Sequence, residues 1–340
     1  MKALVNYRDF HSLTRAGNWK MDISEMERGL CINAYYGAAP FYVLSSSGSV
    51  QQFHQWYRAF ELSAESLRGM NHQEDHLHAG TFVVDLNPGD SVLMVASTEP
   101  RPDLDAQSAL KRHSEHGQVL LEHFRELHRG IQAPGWVEQL AVAADQFVVK
   151  RNVKGTEGHT VIAGYHLFSD WGRDTMVSLP GLALVTGRPD VARNILLAWA
   201  GLADDGMLPN RFLESGETPD FNTVDAALWF FNAVRSYWNH TRDREFLKQI
   251  FPTLCDMVAA YIRGTRYNIH LDRSDGLLYA GQEGLQLTWM DAKVGDQVIT
   301  PRIGKPVEIN ALWLNALTAM KEFADELASP ADDFQHSAEQ

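Results

Sequence analysis

Three segments of the chain combine carboxylates, basic side chains and aromatic rings with several glycines. The first reads AGYHLFSDWGRDTM and places Asp170, Arg173 and Asp174 within five positions around Trp171. The other two read DGMLPNRF followed by FNTVDAALWFF, and YAGQEGLQLTWMDAKVGDQVITPRIGKPVEINALW. A pyranose has apolar C–H faces that stack on aromatic rings, and hydroxyls that bind carboxylates and guanidinium groups. These segments predict a carbohydrate site, although residue types alone leave other polar small molecules open.

The elements that must position these segments change character near 99–103. Before that point, short segments rich in β-branched and aromatic residues alternate with turn residues at roughly ten-residue spacing, which is typical of an antiparallel sandwich. The predicted strands lie at 31–35, 41–44, 80–86 and 91–96. The residues NPGD between the last two predict a hairpin turn.

After EPRPD the hydrophobic periodicity becomes that of helices. Seven helices are predicted, at 104–129, 135–148, 174–186, 190–203, 223–240, 243–266 and 306–328. Asp190 and Asp243 are predicted to cap two of them. Short links alternate with long loops at 151–172, 204–221 and 268–305, which indicates paired helices whose functional loops gather at one end.

Composition excludes several classes of protein. The chain has 340 residues, of which 45% are hydrophobic and 21% charged, so it is neither disordered nor collagen-like. Its net charge of −13 has the wrong sign for binding nucleic acid by counterion release. Two distant cysteines, Cys31 and Cys255, cannot build a disulfide framework and are interpreted as buried, reduced thiols. Neither a signal peptide nor a membrane-spanning apolar stretch is visible, which predicts a cytoplasmic location.

Five motifs occur together and in order: SDWGRDTMVSLPGL, GMLPNRF, NTVDAALWFF, TWMDA and PRIGKPVEINALW. They resemble the amylo-α-1,6-glucosidase domain of the bacterial and archaeal glycogen debranching enzymes. The stretch ELSAESLRGMNHQEDHLHAGTFVVDLNPGDSVLMVAST resembles the end of the same family's N-terminal β-sandwich. The resemblance implies a multidomain protein of β and all-α parts. Residues 1–102 would be the C-terminal part of the sandwich, and 103–340 the first half or more of an α/α toroid of six helix pairs, as in six-hairpin glycosidases.

The resemblance assigns roles to individual residues. Arg173 and Asp174 match the pair that holds the terminal glucose at its outer hydroxyls, and Asp291 matches the general acid. A general acid must be protonated near neutral pH, and the Trp-Met pair before Asp291 predicts apolar surroundings that favour this form. The alternatives are an ion pair of Arg173 with Asp174 or Asp170, an N-cap at Asp174, and an exposed loop carboxylate at Asp291.

Residues in all five motifs are predicted to contact substrate. They are Asp170, Trp171, Arg173, Asp174, Asn210, Arg211, Asp225, Trp289 and Glu308. Trp171 and Trp289 are the stacking candidates, the alternative being rings that belong to the core. Asp225 and Glu308 each lie where a helix is predicted to begin, so a purely structural role at the helix end is the alternative for both.

Two histidine-rich segments admit a metal-site interpretation. NHQEDHLH places His76 and His78 on one strand face, but it lies in the sandwich segment of the resemblance, where no metal is expected. His113, His116 and His123 have helical spacing among charged neighbours, which favours a solvated helix face. No metal or organic cofactor is expected.

The resemblance implies a glycoside hydrolase that removes α-1,6-linked glucose at branch points of glycogen or limit dextrin, with inversion. Asp291 would protonate the leaving oxygen while a second carboxylate activates water, which requires a carboxyl separation of about 6.5–9.5 Å. In the resembling enzymes this base follows the PVEIN helix, in the last part of the toroid, and seven predicted helices are fewer than the twelve of that ring. We therefore expect a family member truncated at both ends, completed by a second chain or self-associating through an unpartnered apolar face. The alternatives are an active enzyme with Glu308 as substitute base, and a fragment that binds α-glucan without hydrolysis.

Overall fold

The computed structural model describes residues 1–8, 12–17, 19–153, 156–164, 168–211 and 219–328. Parts of the loops singled out above, at 165–167 and 212–218, lie outside the described residues, as does the polar tail. The chain divides into two compact units, Met1–His116 and Gly117–Gln340. No helix in the described ranges is long and apolar enough to cross a bilayer.

The first unit is built from two antiparallel sheets. Its elements are β1 (Lys2–Val5), β2 (Asp22–Met26), β3 (Gly29–Asn33), β4 (Phe41–Ser45), β5 (Ser49–Glu61), α1 (Ser63–Leu67), β6 (Gln73–Val83) and β7 (Met94–Ser97). One sheet has the strand order β1-β6-β5 and the other β2-β3-β4-β7. The β-rich N-terminal part predicted from the sequence is therefore confirmed.

One hydrophobic core lies between these two sheets. Leu30 and Ile32 of β3 and Leu77 and Ala79 of β6 are fully buried at alternate strand positions, as expected when each sheet turns one face inward. The sheets approach closely, since a Cβ atom on Gly80 would lie 2.5 Å from Cδ1 of Leu30. The first unit is thus a β-sandwich.

The sequence predicted a hairpin at NPGD and two buried thiols, and both predictions were wrong. The NPGD segment does form a turn, with Asp90 N–H donating to the carbonyl of Asn87 at 3.0 Å. It is not a hairpin, because β6 pairs with β1 and β5 whereas β7 pairs with β4 in the other sheet. The free thiols of Cys31 and Cys255 are half-buried rather than buried, and partial burial raises the pKa of Cys255 to about 11.

Helices dominate the second unit. They are α2 (Ala106–Leu127, which begins in the first unit), α3 (Gly135–Asp145), α4 (Gly172–Leu179), α5 (Pro189–Ala200), α6 (Asp225–Thr241), α7 (Arg244–Arg263) and α8 (Val307–Leu327). Each predicted helix is present with ends shifted by a few residues. One further feature was not predicted: a π-helical turn, Pro180–Leu184, continues α4.

Helix α6 lies at the centre of the second unit. Helices α4, α5, α7 and α8 all pack against it. Its buried residues include Phe230, Phe231, Ala233 and Val234, so it is apolar on more than one face, as a helix surrounded by others must be. At its C-terminal end, Arg242 adopts the left-handed conformation and Asp243 begins the turn into α7.

Only one of the two predicted caps is formed. The side chain of Asp243 accepts a hydrogen bond from Phe246 N–H at 3.0 Å, which confirms it as the N-cap of α7. Asp190 lies inside the first turn of α5, because Pro189 occupies the first helical position and Arg188 is the N-cap.

The long loops contain short strands that the sequence did not predict. These are β8 (Val148–Val153), β9 (Thr156–Val161), β10 (His270–Asp272), β11 (Leu277–Tyr279), β12 (Lys293–Val294) and β13 (Gln297–Val298), each pair forming an antiparallel hairpin. The side chain of Asn310 in α8 accepts from Leu278 N–H at 2.7 Å and donates to the Leu278 carbonyl at 3.2 Å. This helix is therefore tied directly to β11.

The Lys305 ammonium group joins the two ends of the long loop that precedes α8. Lys305 Nζ donates to Asp272 at 2.6 Å and to Asp275 at 2.7 Å. These hydrogen bonds hold the pKa of both carboxyl groups below its ordinary value. The segment between β11 and α8 is thus fixed at its two ends.

Candidate functional site

The start of α4 is fixed by close packing against the segment that follows α5. A Cβ atom on Gly172 would lie 2.7 Å from the carbonyl oxygen of Pro209, so only glycine fits there. Gly172 N–H donates to the Asn210 carbonyl at 2.8 Å, and the backbones of Trp171 and Arg211 form an isolated antiparallel bridge. Two motifs that are distant in sequence therefore lie side by side.

Asp170 is fully buried and paired with an arginine of β8. Its two carboxylate oxygens accept from Nε and Nη2 of Arg151 at 3.0 Å and 2.6 Å, a bidentate geometry that is both strong and directional. The ion pair with Arg151 thus fixes the backbone directly before Trp171.

Arg173 pairs with Asp225, which neither alternative considered from the sequence had named. Arg173 Nε donates to one carboxylate oxygen of Asp225 at 2.7 Å, and Thr223 Oγ1 donates to the other at 2.8 Å. The ion pairs of Arg173 with Asp170 or Asp174, which were the alternative to a substrate contact, are not formed, because Arg173 pairs with Asp225 and Asp170 is held by Arg151. Within the described part of the chain, Arg173 makes no other hydrogen bond.

The segment that carries Asp291 is held by the first turn of α6. Val224 N–H donates to the Leu287 carbonyl at 2.8 Å. The Tyr261 hydroxyl donates to the Val224 carbonyl at 2.9 Å, and burial raises the pKa of Tyr261, so the group stays a donor. Leu287 and Thr288 are buried. The residues before Asp291 are therefore anchored, although Asp291 itself is exposed.

These elements enclose a cavity of about 190 Å³. Its lining residues are Trp171, Arg173, Asn210, Asn222, Gly284, Leu285, Gln286, Thr288, Asp291 and Lys293. Four of the residues predicted for the site are thus brought together around one space. They supply an aromatic ring, a guanidinium, an amide and a carboxylate.

The Asn210 side chain has one terminal amide atom without a partner. Asn210 is only 8% exposed. Its Nδ2 donates to Asn222 Oδ1 at 3.0 Å, while Oδ1 has no hydrogen-bond partner. Exchanging O and N of the Asn222 amide lets that group donate to Asp220 at 3.0 Å, and the matching exchange in Asn210 leaves its NH₂ unpaired instead. A buried unpaired amide atom is costly, and a ligand hydroxyl can satisfy it as either donor or acceptor.

Six predicted contacts lie outside the lining of this cavity, the buried Asp170 and Asp225 and four others. Asp174 is exposed in the first turn of α4, and it is not an N-cap because Trp171 occupies that position. Trp289 is 55% exposed. Arg211 is exposed and approaches the site through its backbone. Glu308, in the first turn of α8, is ion-paired with Arg302.

Asp174 instead lines a neighbouring apolar cavity of about 380 Å³. Its lining residues are Phe147, Val161, Ile162, Ala163, Arg173, Asp174, Val177, Ser178 and Leu182. Arg173 therefore lies between two spaces, a polar one that contains Asp291 and an apolar one that contains Asp174.

The surroundings of Asp291 differ from the expectation. Its side chain is exposed and the neighbouring Trp289 is also largely exposed, so the predicted apolar enclosure is absent from the part of the chain that the structure describes. Asp291 is also the only carboxylate among the described residues that line the cavity.

Asn222, Gln286, Thr288 and Lys293 line the cavity but were not predicted. Gln286 and Thr288 are buried in a segment without regular secondary structure. The segment therefore has no periodicity that could have identified them. Lys293 Nζ donates to the Gly284 carbonyl at 3.1 Å. Periodicity in the sequence does not predict this contact, because the two positions are nine apart in a loop.

Neither histidine segment forms a metal site in the ranges described. Glu74 is held by Arg8 at 2.9 Å and lies 3.5 Å from His76. His113, His116 and His123 are exposed along α2, which confirms the solvated-face interpretation. The described residues contain no group of three or more potential ligands placed to hold a metal ion.

A family model described as amylo-α-1,6-glucosidase matches residues 142–340, more than half of the chain. The chain belongs to this family. A second model, described as the glycogen debranching enzyme N terminal, matches residues 1–93. This member of the amylo-α-1,6-glucosidase family is thus of the glycogen debranching type, as its five motifs predicted.

Known proteins resemble this family member over different shares of their length. The glycogen debranching enzyme of Saccharomyces cerevisiae is 29% identical over 210 residues, which cover 46% of this chain and 14% of that protein. The GH78 family rhamnosidase of Bacillus sp. GL1 has a TM-score of 0.45 and 13% identity, with 92% of this chain and 32% of that chain covered. A rhamnosidase from Klebsiella oxytoca, solved with rhamnose bound, has a TM-score of 0.42 and 14% identity, with 97% and 62% covered.

Proposed function

We propose that this member of the amylo-α-1,6-glucosidase family hydrolyses α-1,6-linked glucose at branch points of glycogen or limit dextrin. The observation that supports the proposal is the cavity that combines Trp171, Arg173 and Asn210 with Asp291. We also propose that the helices of the second unit belong to an α/α toroid whose loop-rich end carries this cavity.

Substrate binding uses three kinds of contact in this proposal. The Trp171 ring stacks on an apolar pyranose face. The Arg173 guanidinium donates to sugar hydroxyls through its terminal nitrogens, because its Nε is already bonded to Asp225. The unpaired amide atom of Asn210 completes its hydrogen bonding with a hydroxyl. A neutral ligand is consistent with a site that holds both signs of charge.

Hydrolysis follows the inverting scheme. Asp291 protonates the glycosidic oxygen as the bond from that oxygen to C1 breaks, and a water attacks C1 from the opposite face. A second carboxylate takes the proton of that water, and the product is the β anomer of glucose.

Glucose release from a limit dextrin tests the proposal. The chain is compared with D291N, which keeps the shape of the side chain but removes the acid, and with E308Q, which tests Glu308 as substitute base. Release by the unmodified chain, a loss of at least about 100-fold in D291N, and β-glucose as the first product by NMR are expected. Equal release by D291N would contradict the assignment of the acid.

A second candidate function is α-glucan binding without hydrolysis. It is favoured by one observation, that Asp291 is the only carboxylate among the described residues lining the cavity. Saturable binding of isomaltose, an α-1,6-linked glucose disaccharide, with no glucose release would support this candidate and contradict the first. Isomaltose binding must weaken in R173A, because Arg173 contacts the sugar in both candidate functions.

A further inference from the structure

We propose that Asp225 is a positioning residue, which acts on the substrate only through Arg173. This inference rests on the proposed function, because it concerns how that site holds a sugar. It differs from the substrate contact predicted for Asp225 from the sequence. Its basis is the geometry of the first turn of α6.

The Asp225 carboxylate has no surface to offer to a ligand. Asp225 is 2% exposed, and both of its oxygens accept from protein donors, Arg173 Nε at 2.7 Å and Thr223 Oγ1 at 2.8 Å. It does not line the cavity that Arg173 lines. A sugar hydroxyl could reach Asp225 only by displacing one of these two partners.

The same carboxylate controls the plane of the Arg173 guanidinium. A guanidinium is rigid and planar, so a bond at Nε restricts the orientation of both terminal nitrogens. Four N–H groups of Arg173 make no hydrogen bond within the described part of the chain, and the residue is at the cavity surface. Asp225 therefore orders the donor set before substrate arrives, which lowers the entropy cost of binding.

Asp225 is itself well fixed. Thr223 Oγ1 accepts from Ala226 N–H at 3.3 Å while donating to Asp225. Next to it, Val224 is bonded on one side to Leu287 and on the other to buried Tyr261. The start of α6 thus provides a rigid reference, from which the Arg173 side chain and the Asp291 segment are both located.

A double-mutant cycle with isomaltose tests this role. We expect D225N to weaken isomaltose binding about 10- to 100-fold, the effect of losing a charge-assisted hydrogen bond. In the R173A background, D225N must have no more than about a twofold further effect, since Asp225 would act through a side chain that is no longer present. Equal losses in both backgrounds would show that Asp225 contacts the sugar itself, and would overturn the proposal.

Y261F is the matched control. It removes a hydrogen bond from the same turn of α6, at the Val224 carbonyl, and leaves the Arg173–Asp225 pair in place. We expect isomaltose binding to change by no more than about twofold, a fraction of what one neutral hydrogen bond supports. A loss equal to that of D225N would show that general loosening of the turn, rather than positioning of Arg173, explains the effect.

Solvent exchange of the Arg173 Nε proton provides a readout without ligand. In the unmodified chain this proton is bonded to Asp225, so we expect exchange by NMR to be slowed, and to accelerate at least about tenfold in D225N. Unchanged exchange would overturn the positioning role. If the chain binds no isomaltose but the exchange result is as expected, the proposed function fails and the positioning of Arg173 stands.

Discussion

A buried aspartate, Asp225, begins α6, and a half-buried aspartate, Asp243, follows the end of α6 and caps α7. At the start, Asp225 is 2% exposed and pairs with Arg173, a residue of another helix 52 positions away. Beyond the other end, Asp243 is bonded to Phe246 N–H and to the Tyr237 hydroxyl, three and six positions away, and its ion pair with Arg193 of α5 is longer, at 3.5 Å. The closest contact of Asp225 is therefore long-range, whereas the closest contacts of Asp243 are local.

This difference separates a contact of the candidate site from contacts that stabilise one helix end. A local cap such as Asp243 stabilises its own helix and would do so in many surroundings. The Asp225 pair has a structural meaning only when α4 and α6 are correctly placed, so it reports on the assembled site. Four substitutions test this contrast, in order of decreasing expected effect on stability.

The largest loss of stability is expected for D225A. Removing the carboxylate leaves the largely buried Arg173 charge without its partner, which should lower the free energy of unfolding by about 3 kcal/mol. Chemical denaturation followed by circular dichroism measures the change. D174A in the neighbouring helix, where the carboxylate is exposed, serves as control and should cost about 0.5 kcal/mol. Similar losses for the two variants would remove the distinction between a buried pair and a surface charge.

The next effect is expected for G172A. The added Cβ would meet the Pro209 carbonyl oxygen at 2.7 Å, and relieving this contact should cost about 1–3 kcal/mol because a backbone segment must shift. Isomaltose binding should weaken as well, since Asn210 adjoins Pro209. G181A is the control, because among the described residues no heavy atom lies within 4 Å of its added Cβ. A stable, fully binding G172A would mean that the loop-rich end tolerates displacement.

A smaller and pH-dependent effect is expected for D243A. Loss of the N-cap should cost about 1 kcal/mol at neutral pH. The hydrogen bond from Phe246 N–H lowers the pKa of Asp243, so its contribution is complete above the ordinary value near pH 4 and is lost as the pH falls through the folded-state pKa. Thermal melts of both proteins between pH 7 and pH 3 should therefore converge toward low pH. A difference that grows on acidification would contradict the assigned cause.

The smallest effect on stability is expected for W289A. The ring is 55% exposed, so its removal should change the free energy of unfolding by no more than about 0.5 kcal/mol. Trp289 lies next to Asp291 at the loop-rich end, and a negligible loss would show that only the buried parts of that end support the fold. A loss above about 1 kcal/mol in a denaturation titration would mean that the Trp289 ring packs against protein.

The sequence predicted those features whose causes are local. The seven helices follow from apolar periodicity within each segment, and the Asp243 cap from contacts three residues away. Strand β5 was missed because most of its thirteen residues are exposed and polar, so it carries no clear alternation. The partner of Arg173 could not be found from periodicity, because it depends on how α4 and α6 pack.

The site was predictable where a motif supplies the residue type and unpredictable where geometry decides its use. Trp171, Arg173, Asn210 and Asp291 do surround one cavity. Asp170 is instead held by Arg151, behind the surface that the motif suggested. The exposure of Asp291 has a similar origin, because enclosure is a property of surrounding elements and not of adjacent residues.

The pair of hydrogen bonds between Asn310 and β11 has a mechanical consequence. An amide side chain that both accepts from and donates to the same residue reproduces the exchange made by a neighbouring strand. Asn310 therefore links helix α8 to the β10–β11 hairpin as a paired strand would. A displacement of α8 would also move the hairpin. It therefore reaches β11, where the long loop that carries Asp291 begins.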